Sequence, residues 1–117
     1  MFKVEKLSDF VFEIYISGKI RKEDYDFVPE LERKIEKHGK VNLYCEIESI
    51  EGVEPSAIWE DLKLRAKHFN SFEKVAIVVE GQWIQNMSQM AKPFTKAYVK
   101  VFKPEEKEEA KNWVMHT

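Results

Sequence analysis

The side chains of this chain offer few of the groupings that carry out bond-making chemistry. The single cysteine, Cys45, could act as a nucleophile beside a histidine. Alternation along its strand places Cys45 on the same side as Leu43 and Ile47, and free cysteines are usually buried, so we interpret it as a core residue. No two histidines have the spacing of a metal-binding pair on a helix; they are His38, His68 and His116. Because the four glycines are also too scattered for a phosphate-binding loop, the residues predict no catalytic site, bound metal or cofactor.

A group of large apolar side chains is harder to assign to packing alone. Trp83, Met87 and Met90 recur at helical spacing, and methionine-rich surfaces accept apolar partners of varied shape. In the simpler interpretation these residues pack their helix on a sheet. In the other, the helix moves and gates an apolar pocket beside Trp59 and Phe69. We take these five residues as the candidate surface for a ligand or a protein partner.

Length and composition predict one folded domain over residues 1–117. Apolar residues make up 44% of the chain, enough for a core, and charged residues make up 34%. The formal net charge is −2, whereas a protein that binds a nucleic acid backbone needs a basic surplus. The chain has no apolar run of the length that crosses a membrane, and its alternating start is unlike a signal peptide. We therefore expect a cytoplasmic protein without a transmembrane segment that binds no nucleic acid.

The strands that position these residues follow from the hydrophobic pattern. Alternating or uniformly apolar stretches predict five strands, over residues 2–6, 11–17, 41–47, 75–79 and 97–102. A turn at Ser8-Asp9 joins the first two strands as an antiparallel hairpin, and Gly18 ends the second strand. A helix between each later pair of strands makes strands two to five parallel. The predicted fold class is α/β, with a five-stranded mixed sheet.

About four helices are predicted from the 3.6-residue spacing of apolar side chains. They lie over residues 23–38, from Pro55, over 82–92 and from Pro104. Pro29 lies inside the first of them and has no N–H for the helical ladder. Either the first helix bends at Pro29, or a short turn ends there and Pro29 begins the main helix.

Strands two and three each present polar side chains to one side of the sheet. These are Glu13, Tyr15 and Ser17 on strand two, and Asn42, Tyr44 and Glu46 on strand three. A sheet covered by helices on both faces would not need them, so we expect one face to be only partly covered. The resulting tyrosine-bearing surface would be open to a ligand, a partner or a second subunit. We accordingly predict a homodimer, formed through this face or through the exposed first strand.

The order of elements, ββαβαβαβα, is similar to the STAS fold of anti-anti-sigma factors, and the detailed pattern resembles the SpoIIAA-like family. The matching positions are Ser17-Gly18-Lys19, Glu23-Asp24-Tyr25, Pro29, residues 58–63, residues 68–78, Trp83, Ala110 and Trp113. The resemblance runs nearly end to end and implies a STAS-like domain that is not an enzyme. It also implies action by protein–protein contact, on a fold similar to lipid-transfer domains that hold apolar ligands.

The anti-anti-sigma switch uses a phosphorylatable serine just after the third strand, where a phosphate meets the N-terminus of the next helix. Ser56 lies near that position, but Glu51, Glu54 and Glu60 surround it with like charge. Their repulsion offsets the helix-end stabilisation of about 0.3–1 kcal/mol. The predicted function is therefore a non-catalytic binding module for a protein partner or a small apolar, lipid-like ligand. The alternative is a regulatory phosphoswitch at Ser56.

Overall fold

The computed structural model describes residues 2–51, 55–80, 91–94 and 96–116. For Ser49, Pro55 and Ser56 the description covers the backbone alone. The predicted helix over 82–92 lies outside the described residues except for its last two positions.

Within the described ranges, five strands form one mixed sheet, as predicted. They are β1 (Phe2–Ser8), β2 (Val11–Lys19), β3 (Val41–Glu51), β4 (Phe72–Val79) and β5 (Tyr98–Phe102). The order across the sheet is β1-β2-β3-β4-β5. β1 pairs antiparallel with β2, and every later pair is parallel, which confirms the predicted directions.

Gly18 does not end the second strand, so that prediction is wrong. β2 continues to Lys19, and its pairing register with β3 shifts between Ser17 and Gly18. Gly18 has a φ of +65°, a left-handed conformation that glycine adopts without the steric cost of a Cβ. The glycine therefore lies at an irregularity in the pairing of the strand. Glycine within a strand often marks such a position.

Three α-helices lie within the described residues, against about four predicted for the whole chain. They are α1 (Val28–His38), α2 (Pro55–Arg65) and α3 (Lys107–Met115). A 3₁₀ helix over Lys22–Phe27 precedes α1, and Pro29 lies in the first turn of α1. The second of the two alternatives for Pro29 is therefore the one observed, because a proline in the first turn removes no helical hydrogen bond.

The helices cover the two faces of the sheet unequally. Both α1 and α2 pack on one face, where they bury the core side chains Leu31, Ile35, Ile58, Trp59 and Leu62. On the other face, α3 packs its Ala110 and Val114 against a smaller cluster that includes Tyr44 and Ala76. The first face therefore holds most of the hydrophobic core, and α3 covers part of the second face.

Asn42 and Tyr44 lie on the face that was predicted to be only partly covered, in the part of it that α3 covers. Asn42 is 2% exposed and Tyr44 is 0% exposed, because α3 packs over them. The Asn42 amide donates to the carbonyl of Val114 at 2.7 Å and accepts from the backbone N–H of Lys74 at 3.0 Å. Asn42, which alternation placed on the outward side of its strand, thus links α3 to the sheet.

Candidate functional site

Two of the five predicted site residues, Trp59 and Phe69, belong to one buried group of aromatic side chains. The Phe94 ring contacts both, with centroids 5.2 Å from Trp59 at an edge-on angle and 4.9 Å from Phe69 in a stacked arrangement. Phe72 lies behind them, 5.8 Å from Phe69. We call these four residues the aromatic cluster. Its rings meet in the geometries that aromatic pairs prefer, and Phe94 fills the space beside Trp59 and Phe69.

Trp59 is 1% exposed, and its indole Nε1 is fully buried. Among the described residues, no acceptor lies within hydrogen-bonding distance of this N–H. A buried donor without a partner costs about 1–3 kcal/mol, so most buried tryptophan N–H groups are hydrogen-bonded. The indole therefore gives the aromatic cluster a hydrogen-bond donor that packing between these rings does not use.

The other three predicted site residues, Trp83, Met87 and Met90, lie outside the described residues. The described chain ends at Glu80 after β4 and begins again at Ala91, three positions before Phe94. Their contact with Trp59 and Phe69 stays a prediction.

Ser56, the predicted switch residue, is the second residue of α2. Its backbone lies in the first turn of the helix, and its side chain is outside the description. Glu51 and Glu60, two of the acidic neighbours predicted to oppose a phosphate, are both exposed. Phosphorylation of Ser56 stays a prediction.

Two hydrogen-bonded tyrosine–glutamate pairs lie on the α3 side of the sheet. Tyr15 donates to Glu13 Oε2, and Tyr44 donates to Glu46 Oε1 at 2.6 Å. The two rings meet edge-on at 6.3 Å. Burial and the neighbouring glutamates raise the pKa of both tyrosines well above the ordinary value, so both hydroxyls stay protonated and donate. Tyr15 is half-buried, whereas Glu13 and Tyr44 are buried, so little of the predicted tyrosine-bearing surface is exposed at these residues.

Cys45 and His68, which the sequence analysis considered as a nucleophile and as a metal ligand, contribute to the packing of the fold. Cys45 is 0% exposed, and burial raises the pKa of its thiol well above the ordinary value. His68 Nε2 lies 3.5 Å from Glu32 Oε2 and 3.2 Å from Glu36 Oε1. These contacts link the segment between α2 and β4 to α1. Within the described ranges no three His, Cys, Asp or Glu side chains are grouped to hold a metal ion.

A cavity between the β1–β2 hairpin and α1 was not predicted from the sequence. Its volume is about 300 Å³, with apolar walls formed by Val4, Phe12, Phe27 and Leu31. Two lysines and two glutamates line its opening, so their charges cancel. Hydrophobic periodicity identifies which side of each element is buried, but a gap between two elements depends on how they pack, and no pattern in the sequence indicated this one.

Comparison with known proteins agrees with this architecture and with the resemblance noted in the sequence. The family model for SpoIIAA-like proteins matches residues 11–115. The chain belongs to the SpoIIAA-like family. No curated protein matches it.

A solved structure with the same fold is the crystal structure of an uncharacterized DUF3478-family protein from Shewanella loihica PV-4, which has a SpoIIAA-like fold. It is 30% identical to this chain, the match covers 97% of this chain and 92% of that one, and the TM-score is 0.71. Since that protein is described as uncharacterized, the likeness supports the SpoIIAA-like fold and brings no activity with it.

In the described part of this SpoIIAA-like chain, no helix has both the length and the apolar character needed to cross a membrane.

Proposed function

We propose that this SpoIIAA-like domain is a non-catalytic binding module for a small, largely apolar molecule that carries a hydrogen-bond acceptor. The ligand lies against the aromatic cluster and accepts a hydrogen bond from Trp59 Nε1. The observation that supports this proposal best is the buried indole N–H without an acceptor among the described residues. We also propose that Trp83, Met87 and Met90 contribute to the same site.

The composition of the aromatic cluster supports an apolar ligand. Trp59, Phe69 and Phe94 are each at most 6% exposed, so the indole N–H lies in apolar surroundings away from water. Burial of apolar surface contributes about 25 cal/mol per Å². Small-molecule sites commonly combine such walls with a few polar groups that fix orientation, and here the indole would be that group.

The chemistry of the described side chains supports the non-catalytic part of the proposal. A nucleophilic cysteine needs a lowered pKa, whereas burial raises the pKa of Cys45. The tyrosines with strongly raised pKa values donate their protons in stable pairs with Glu13 and Glu46. These hydrogen-bonded groups stabilise the sheet face.

The indole resonances of the three tryptophans provide the test. We expect the ¹H–¹⁵N cross-peak of Trp59 Nε1 to move when the purified protein is unfolded, extracted with organic solvent and refolded. Adding the extract back should restore the original position. Trp113, whose ring lies beside Phe102 on the α3 side, is the matched control and should not respond. Identical Trp59 cross-peaks before and after extraction would contradict the proposal.

A protein partner is the second candidate from the sequence, and exposed apolar side chains are its support. Leu64 on α2 is 86% exposed and Tyr98 on β5 is 73% exposed. Single exposed apolar residues are common on monomeric proteins, so we place this candidate behind the small ligand.

For the Ser56 phosphoswitch, the test is phosphosite mapping after incubation with cellular kinases, and persistent absence of label would remove it.

A homodimer and a cytoplasmic location complete the proposal. The order of strands places β1 at one edge of the sheet, where its outer hydrogen-bonding groups could pair with a second copy. We expect light scattering at high protein concentration to report a dimer. A monomer mass under those conditions would remove the homodimer and leave the ligand proposal unaffected.

A further inference from the structure

A pocket of about 250 Å³ lies where the connection after β2 meets α2. Arg21 and Lys22 line one side of this pocket, and Asp61 and Arg65 line the other. We call it the cation pocket. It lies close to the carboxyl end of β2, an end of a parallel sheet at which α/β proteins commonly bind ligands.

The charges around the cation pocket are unbalanced. Arg21, Lys22 and Arg65 are all exposed, and none of them forms an ion pair with another described residue. Asp61, the single acid among the described residues that line the pocket, accepts a hydrogen bond from the hydroxyl of Tyr25 at 3.4 Å. The described residues that line the pocket therefore carry a formal charge of +2, in a chain whose net charge is −2.

Tyr25 holds one of the three cations in place. The guanidinium carbon of Arg65 lies 4.5 Å from the centroid of the Tyr25 ring, a cation–π contact. Tyr25 is itself 6% exposed, and burial and the neighbouring Asp61 raise its pKa to about 12, so its hydroxyl stays protonated and keeps its bond to Asp61. An arginine stacked on a ring keeps the edges of its guanidinium group available, and those edges match the oxygens of a phosphate.

The walls of the cation pocket are partly apolar. Ile20 and Ile58 line it between the charged groups, and Ile58 is 2% exposed. A ligand that only carried charge would not use this surface. The ligand that matches both properties has an anionic end and an apolar body.

We propose that the cation pocket binds a small phosphate monoester whose alcohol part is apolar. The phosphate dianion would neutralise the pocket's charge of +2, with Arg65 and Lys22 contacting its oxygens, while the apolar part lies against Ile20 and Ile58. The site is separate from the aromatic cluster and does not depend on the function proposed for it.

The other cavities favour an anion less. Around the hairpin cavity the lysines are balanced by glutamates, and in a cavity beside α3 the Lys74 and Lys100 ammonium groups lie over the Trp113 ring.

Calorimetric titration with phenyl phosphate, phenol and inorganic phosphate tests this proposal. We expect phenyl phosphate to bind more tightly than either of the other two, and its affinity to fall as salt concentration rises. Arg65→Gln removes a charged hydrogen-bond donor and should weaken phenyl phosphate about ten-fold or more. Lys22→Gln should weaken it several-fold, and because Lys22 is exposed we expect this variant to fold like the wild type.

Arg33→Gln is the matched control, since Arg33 is an exposed arginine on α1 away from the cation pocket. We expect it to bind phenyl phosphate like the wild type, and we expect the same of Trp59→Phe, which alters only the aromatic cluster. The proposal is overturned if phenyl phosphate does not bind, if it binds no better than phenol, or if Lys22→Gln and Arg33→Gln have the same affinity.

Discussion

At the scale of single residues, the tyrosine–glutamate pairs determine how this domain responds to alkaline pH. The protonated form of Tyr44 donates to Glu46 at 2.6 Å, and burial first and Glu46 second raise the pKa of Tyr44 above its ordinary value of about 10. A group whose pKa is higher in the folded state stabilises the fold fully below its unfolded pKa. That contribution is lost as the pH rises towards and through the folded pKa.

Removal of the Tyr44 hydroxyl should change the free energy of unfolding differently at neutral and at alkaline pH. Tyr44→Phe should lower the free energy of unfolding at neutral pH by about 1–2 kcal/mol, because Glu46 loses its donor. Above about pH 10, the stability of the wild type should fall more steeply than that of the variant. Urea denaturation at several pH values measures both effects.

Tyr98→Phe is the control, because Tyr98 is 73% exposed on β5. We expect it to change the free energy of unfolding by less than about 0.5 kcal/mol at neutral pH. Parallel pH profiles for the wild type and Tyr44→Phe would show that the pair does not couple to folding.

The single residues also show which parts of the site a sequence can predict. Apolar periodicity identifies the inner side of α2 and of the connection after it, so it predicts that Trp59 and Phe69 are buried. Both are buried, and both contact the ring of Phe94. The role of Phe94 as the ring between them depends on the path of the chain after β4, which periodicity does not encode. The cation pocket was missed for the same reason, since Arg21 and Arg65 are 44 positions apart in sequence and meet only through folding.

At the scale of elements, α3 decides which polar strand residues are buried. Alternation places Asn42 and Tyr44 on one face of β3, but it contains no information on whether a helix from the far end of the chain covers that face. The same limit applies to the end of β3, which was predicted at residue 47 and continues to Glu51. Pairing with β2 extends the strand, since Lys19 lies opposite Glu51 in the register, and this pairing outweighs the acidic composition of the segment.

The hydrogen bonds of Asn42 that link α3 to the sheet can be tested by mutation. Asn42→Ala would leave the carbonyl of Val114 and the N–H of Lys74 without their partner, in a region where Asn42 is 2% exposed. We expect the free energy of unfolding to fall by about 2–4 kcal/mol. Thermal or urea denaturation measures this change.

Asn70→Ala is the matched control for that variant, because Asn70 is an exposed asparagine in a short 3₁₀ helix. Its effect should stay within about 0.5 kcal/mol. If the two alanine variants were equally stable, Asn42 would not be what fastens α3 to the sheet.

At the scale of the whole molecule, the sheet order was left open by the sequence, and the strand directions were not. Directions follow from local information, namely the turn between β1 and β2 and the helices between later strands. The order β1-β2-β3-β4-β5 depends on long-range pairing. That arrangement places α1 and α2 together on one face and gives the SpoIIAA-like domain the buried aromatic cluster on which its proposed function rests.

Native mass spectrometry of the gently purified protein tests the central claim, that this domain holds a small apolar ligand against Trp59, most directly. The account predicts that part of the wild-type protein carries an additional small-molecule mass. Trp59→Phe, which keeps a ring but lacks the N–H, should lose most of that mass, whereas Trp113→Phe should retain it. Detection of the bare chain alone for the wild type, or equal retention of the mass by both variants, would contradict the account.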